Sequence, residues 1–222
     1  MPLTPERIFG VTIVIVGKFN PPIFHPSWLA AQGLVPAAET EAAAVEIVHP
    51  EITAFSLGNE TGGTMKLQVT RDKLVVATED ARKYEVARDL VIGILGVLPH
   101  TPATMLGINL ESHFAKDTEE RWHALGDKLA PKEPWSAIVK TPRLNTLAIK
   151  AERPDQLPGY VIVKIEGSVR VVPFGVVVSI NDHFDVSPAD GGTERIARLL
   201  ADNWDKSTHR SFDIVSQIEG LS

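Results

Sequence analysis

The chain contains no cysteine, which excludes disulfides, zinc ribbons, iron–sulfur clusters and thiol nucleophiles together. It has no apolar run approaching the roughly 20 residues that span a bilayer. Its opening residues, MPLTPERIFG, hold no basic region followed by a long apolar stretch, so no signal peptide is expected. Cationic clusters are missing as well: the formal net charge is −6 and the sequence pI about 5.6. Binding to a phosphate backbone depends on clustered Lys and Arg. Nucleic acid is therefore set aside as a partner, and the acidic balance argues against anionic membranes. A cytoplasmic protein is the expectation, and the sequon Asn59-Glu60-Thr61 is read as coincidence. Neither glycine-rich segment, GNETGGT or ADGGTER, carries the Lys-Ser/Thr pair of a phosphate loop or the dinucleotide fingerprint. No nucleophile elbow, HExxH or EF-hand loop is found. No cofactor is expected.

What is present is an ordinary globular composition, 44% hydrophobic and 23% charged over 222 residues, enough to bury a sizeable core. Residues 11–19, VTIVIVGKF, are β-branched and almost wholly apolar, which reads as a strand buried on both faces or nearly so. Pro26 suits the first position of a short helix that Gly33 can end. Residues 43–48, 52–57, 65–70 and 74–78 read as strands separated by turns. Residues 82–98 change to helical spacing through Val86, Leu90, Ile94 and Val97, and Pro99 stops them. Residues 106–114 form the next strand, and Asp117 or Thr118 can cap a helix reaching Leu129. Three more strands follow at 144–151, 160–168 and 174–182, then a long helix at 194–219.

The two halves repeat one order of elements: strand, short helix, three or four strands, longer helix. Phe19, Trp28 and Pro36 recur as Phe114, Trp122 and Pro131 with spacings equal to within one residue. The expectation is an α+β protein made of two similar strand–helix–antiparallel-sheet–helix halves, residues 1–100 and 101–222, joined into one compact domain. Helices would cover one face of a largely antiparallel sheet and leave the other hydrated. Trp28 and Trp122 are expected to anchor the two short helices. Trp135, in a proline-rich loop, is expected to be buried, with an interface anchor as the alternative.

Candidate chemistry follows the alternation in LGINLESHF (106–114). Asn109, Glu111 and His113 project together, neighbours about 6.5–7 Å apart. Glu111 could orient His113 for acid–base work, but a solvated sheet row has the same pattern, and that reading is preferred. Lys164 and Glu166 alternate against Val161, Val163 and Ile165, and with Tyr160, Asn109 and Glu111 they form a candidate ligand-lining set. In NDHFD (181–185), Asp182, His183 and Asp185 have ligand chemistry for zinc or manganese. Adjacent strand residues point apart, however, and strand-end Asn and Asp also make turns. His25, His49 and His100 each neighbour a proline, which suggests loop structure.

The segments NPPI (20–23) and LGIN (106–109) resemble a sporadically distributed family of uncharacterised bacterial proteins of similar length. The resemblance covers most of the chain and implies a bacterial cytoplasmic protein; it brings no activity, cofactor or catalytic residue. The layout also looks like tandem strand–helix–sheet modules that bind small molecules between repeats, an analogy of fold only. The preferred expectation is a non-enzymatic protein that binds another protein or another copy of itself. The alternatives are a small-molecule pocket between the halves, and a metal-dependent hydrolase using Glu111, His113, Asp182 and His183.

Overall fold

The computed structural model describes residues 8–59, 62–187 and 191–221. Glu60 and Thr61 of the sequon, and with them parts of both glycine-rich segments, lie outside the described residues. In chain order the elements of the first half are β1 (Ile8–Gly17), α1 (Pro26–Ala31), α2 (Ala37–Glu41), β2 (Ala44–His49), β3 (Ile52–Asn59), β4 (Gly63–Thr70), β5 (Lys73–Thr78) and α3 (Tyr84–Val97). The second half runs β6 (Ala103–Ala115), α4 (Glu119–Leu129), α5 (Glu133–Ser136), β7 (Thr146–Glu152), β8 (Gly159–Gly167), β9 (Gly175–Asp185) and α6 (Gly192–Glu219).

All nine strands form one sheet in the order β2-β3-β4-β5-β1-β6-β9-β8-β7, and every neighbouring pair is antiparallel. β1 and β6 meet at the centre. In each half the first strand lies centrally, the last strand pairs with it, and the second strand ends at the outer edge. This is an α+β fold on an antiparallel sheet, as the periodicity predicts.

Period-two alternation decides which face is covered. Val11, Ile13 and Ile15 of β1, Met65, Leu67 and Val69 of β4, and Leu106, Ile108 and Leu110 of β6 are buried beneath the helices. Each such aliphatic side chain contributes about 1.5–3 kcal/mol by leaving water. Thr118 caps α4 by accepting a hydrogen bond from the Arg121 amide. His25 caps α1 through Nδ1, and His49 accepts from the Glu51 amide, so both proline-flanked histidines build turns. α6 is one continuous 28-residue helix. Its buried positions Ile196, Leu200, Trp204, Ser207, Ser211, Val215 and Ile218 follow one stripe across both halves.

The core has two apolar clusters. One gathers Phe19, Phe24, Leu29, α3 and the start of α6, with Trp28 packed against it. The other gathers Phe114, Leu125, Val178, Ile180 and the end of α6, with Trp122 packed against it. Polar groups are buried as well: Asp182, Arg153, Ser207 and Ser211, with Ser112 inside the second cluster. Among the described residues no helix is long and apolar enough to cross a membrane.

Candidate functional site

The strand register arranges the uncovered face in rows. Val14, Gly107, His183, Tyr160 and Glu152 form one; Thr12, Asn109, Asn181, Ile162 and Lys150 the next; Gly10, Glu111, Ser179, Lys164 and Ala148 a third; and Ile8, His113, Val177, Glu166 and Thr146 a fourth. The sequence thus assigns Asn109, Glu111, His113, Tyr160, Lys164 and Glu166 to the correct face.

They do not converge on one pocket. Glu111, His113 and Glu166 line a shallow cavity of about 400 Å³ with Asn145, Val169 and Ser179. Lys164 turns to Glu166, at 2.7 Å. Asn109 sits beside Asn181, and both lean towards the space above Gly107. Tyr160 lies two rows from Glu111, about 13 Å along the strands. Its ring stacks on His183 with centroids 4.3 Å apart, and the Lys150 ammonium lies 3.9 Å from its centroid.

His113 departs from the expected solvated row: it is only 4% exposed. The loop between β8 and β9 folds back over the uncovered face and covers it. Ser168 Oγ accepts hydrogen bonds from the Arg170 and Val171 amides at 3.1 and 3.0 Å, and it lies 2.8 Å from His113 Nδ1. With both lone pairs engaged, the hydroxyl proton goes to Nδ1. The imidazole Nε2–H then donates to Glu111 Oε1 at 2.8 Å. Arg170 reaches across to the end of β5 and grips Glu79 with both guanidinium nitrogens, at 2.5 and 2.9 Å.

A serine, a histidine and a glutamate in line invite a nucleophilic reading. The hydroxyl argues against it, since two amides and the imidazole leave Ser168 Oγ no free lone pair for attack. The array is a latch. Replacing His113 by Ala is expected to cost about 1–3 kcal/mol, the penalty for leaving buried polar partners unmatched. Urea denaturation measures it, and hydrogen exchange should show the Arg170 and Val171 amides losing protection first. Unchanged protection of those amides would contradict the latch.

The latch also has a pH sign. The Arg170 hydrogen bond holds the Glu79 carboxyl below its ordinary value of 4.5, outweighing burial, which pushes it up. A carboxylate depressed in the folded state contributes stability above its unfolded pKa and loses it as pH falls through the folded one. The Val169 and Val172 methyls, 90% and 74% exposed on this loop, should therefore sharpen in NMR spectra as pH drops below about 4.5. Arg170→Ala should give the same spectrum at neutral pH.

The NDHFD cluster separates. His183 faces the uncovered side and contacts Asp185 at 3.1 Å. Asp182 faces the helices, 1% exposed. Its Oδ1 accepts from Arg153 Nη1, and its Oδ2 from Arg210 Nη2 at 2.8 Å. Asp182 and His183 therefore cannot share a metal, and the proposed set with Glu111 and His113 is split between two faces. Among the described residues no group of three His, Asp or Glu side chains is placed to hold an ion. The parity of Asp182 with Val178, Ile180 and Phe184 was the sequence signal that it belongs to the covered side.

Trp135 overturns its expectation. It is 54% exposed, Ile138 72% and Val139 48%. They lie in the excursion between α4 and β7, beside a groove of about 600 Å³ lined by Trp135, Val139, Leu144 and Leu147, with Lys140 and Arg143 at its rim. β7 is an outer strand, and Ile149 on it is 53% exposed. Sequence reasoning named Trp135 but not this groove.

The chain is an α+β protein with exposed apolar side chains on both outer strands, β2 and β7, and in the excursion that precedes β7. No protein-family model matches it, and no curated protein does.

Proposed function

We propose that the protein works by binding other protein through the edge formed by β7 and the Trp135 groove. The observation that carries this reading is the groove holding exposed Trp135 and Val139 beside β7, an outer strand that carries exposed Ile149 and has no strand beyond it among the described residues. Tryptophan is enriched among residues that dominate interface energetics. An open strand edge offers a row of backbone donors and acceptors to an added strand. The reading is non-enzymatic and requires no cofactor. We also infer that the two halves arose from one duplicated unit. Their common winding order and the paired positions of Phe19 with Phe114 and Trp28 with Trp122 support it.

A photo-crosslinking amino acid at position 138 tests the interface, with position 66 on β4 as control. A discrete crosslinked protein band at 138, absent at 66, is expected. No band at 138, or the same bands at both positions, would remove the proposal.

One observation favours a second reading. The cavity beside Glu111 and Glu166 falls within the roughly 300–1,000 Å³ of small-ligand sites. A cationic metabolite binding there must raise the melting temperature by mass action, and Glu166→Gln should abolish that rise. A flat response across a panel of amines dismisses it.

A further inference from the structure

We propose that the partner is a second copy of this chain, added head to tail so that the acidic β2 edge of one copy docks on the basic β7 edge of the next. The inference rests on the protein-binding reading above and names its occupant.

Charge distinguishes the two edges. Residues 36–51, which lead into and form β2, contain Glu39, Glu41, Glu46 and Glu51 and no lysine or arginine; Glu39 and Glu51 pair with Lys83 and Arg71 at 3.8 and 2.6 Å, so Glu41 and Glu46 carry the charge of this edge. Residues 127–145, which lead into β7, contain four cationic side chains against Asp127 and Glu133, a net +2 in a chain of net −6, and Asp127 is taken up by Lys132 at 2.6 Å. Lys140 and Arg143 are exposed, and neither is ion-paired among the described residues. Both edges are also apolar, with Val45, Ile47 and Val48 exposed on β2 facing the demands of Ile149 and the Trp135 groove. Joining either edge to itself would set like charges against each other, which costs several kcal/mol in specific interfaces. Joining the two different edges sets opposite charges together.

Strand direction agrees. Nine strands that alternate throughout leave β2 and β7 running the same way. A copy added by translation along the sheet therefore lays its β2 parallel to β7 and keeps every helix on one face. Both lead-in segments then fall at the same end of the sheet, which brings Glu41 of one copy alongside Lys140 and Arg143 of the other. An added copy turned over to make the strands antiparallel would put these charges at opposite ends. Parallel pairing is only slightly weaker per residue. A heterologous contact of this kind propagates into linear runs unless its rotation closes a ring.

Sedimentation velocity on the full chain tests the proposal. The weight-average mass should rise with concentration at low salt and fall when salt is raised, because exposed charges are screened beyond about 10 Å at 0.1 M. K140E/R143E blocks one edge and E41K/E46K the other, so each variant should remain monomeric. Mixed, the two unaltered edges meet with opposite signs and so do the two reversed edges, so the variants should assemble together although neither assembles alone. All four positions are exposed, and circular dichroism confirms that the variants fold. A monomer at every concentration, growth that neither pair of substitutions affects, or a mixture that stays monomeric would each overturn head-to-tail assembly. A monomer whose position 138 nevertheless crosslinks to a different protein would leave the binding reading intact and remove only the second copy. Absence of any crosslink would remove both.

Discussion

Asp182→Asn is expected to lower folding stability by about 3–5 kcal/mol, the cost of leaving a buried charge without its partner. The substitution hardly changes volume, so packing cannot account for such a loss. It changes the charge seen by Arg153, whose side chain is fully buried, with its guanidinium 3.5 Å from the centroid of Phe184. Arg153 would keep Asp155, at 3.0 and 2.6 Å, but Asp155 lies nearer solvent and compensates poorly. Arg210 is one-fifth exposed and can recover water, so Arg210→Met should cost less than Asp182→Asn. Replacing the whole set, as R153M/D182L/R210M, should recover most of the loss or exceed the parent, because burying ions costs desolvation that apolar side chains avoid. Urea unfolding with an unchanged slope measures all three. A loss below about 1 kcal/mol for Asp182→Asn would show that water reaches the site and that the network behaves as surface ion pairs.

The same network sets part of the acid response. Burial pushes the Asp155 carboxyl up, but its hydrogen bonds to Arg153 and the Leu157 amide outweigh this and hold it below its ordinary value of 3.8. Its contribution is therefore complete above about pH 4 and disappears as the medium is acidified through the lower folded value. Asp155→Asn should flatten the stability profile below pH 4 and leave its shape at neutral pH unchanged.

This buried network also marks the limit of what the chain reveals by itself. Alternation places Lys66 and Gln68 opposite Met65, Leu67 and Val69 correctly, because each strand carries its own two-faced signal. The pairing of Phe19 and Trp28 with Phe114 and Trp122 likewise points to two helix-backed halves. What alternation cannot supply is long-range closure. His113 meets Ser168 across 55 residues, Arg170 meets Glu79 across 91, and Arg153 meets Asp182 across 29. Nothing local in LGINLESHF records that a later loop folds over it, so His113 reads as wet and proves to be covered. Trp135 fails for the converse reason. Hydrophobicity suggests burial, but the excursion carrying it packs against no second layer. The strand order, with β2 and β7 outermost, follows from winding rather than from any one residue.

Gly159→Ala is expected to cost about 3–5 kcal/mol, combining backbone strain of about 1–3 with overpacking of similar size. Gly159 opens β8 at φ +135°, a conformation essentially reserved for glycine, and opposite it stands Phe184 of β9. A methyl group there would sit 2.0 Å from the His183 carbonyl oxygen. That atom is backbone, held in the sheet, and cannot rotate aside. The strand must move, and with it Tyr160, whose ring would leave His183. Gly167, at the other end of the same strand, is the control: no atom lies within 4 Å of its added carbon, and its φ is ordinary. Gly167→Ala should be neutral or stabilise by about 0.4–1 kcal/mol, by restricting the unfolded chain. Thermal melts of the two variants separate the effects, and the ring-current shift of the His183 protons reports the stack directly. Equal melting temperatures for the two alanine variants would mean that β8 can slide at its opening, and that the edge it supports, β7, is not held in a fixed register.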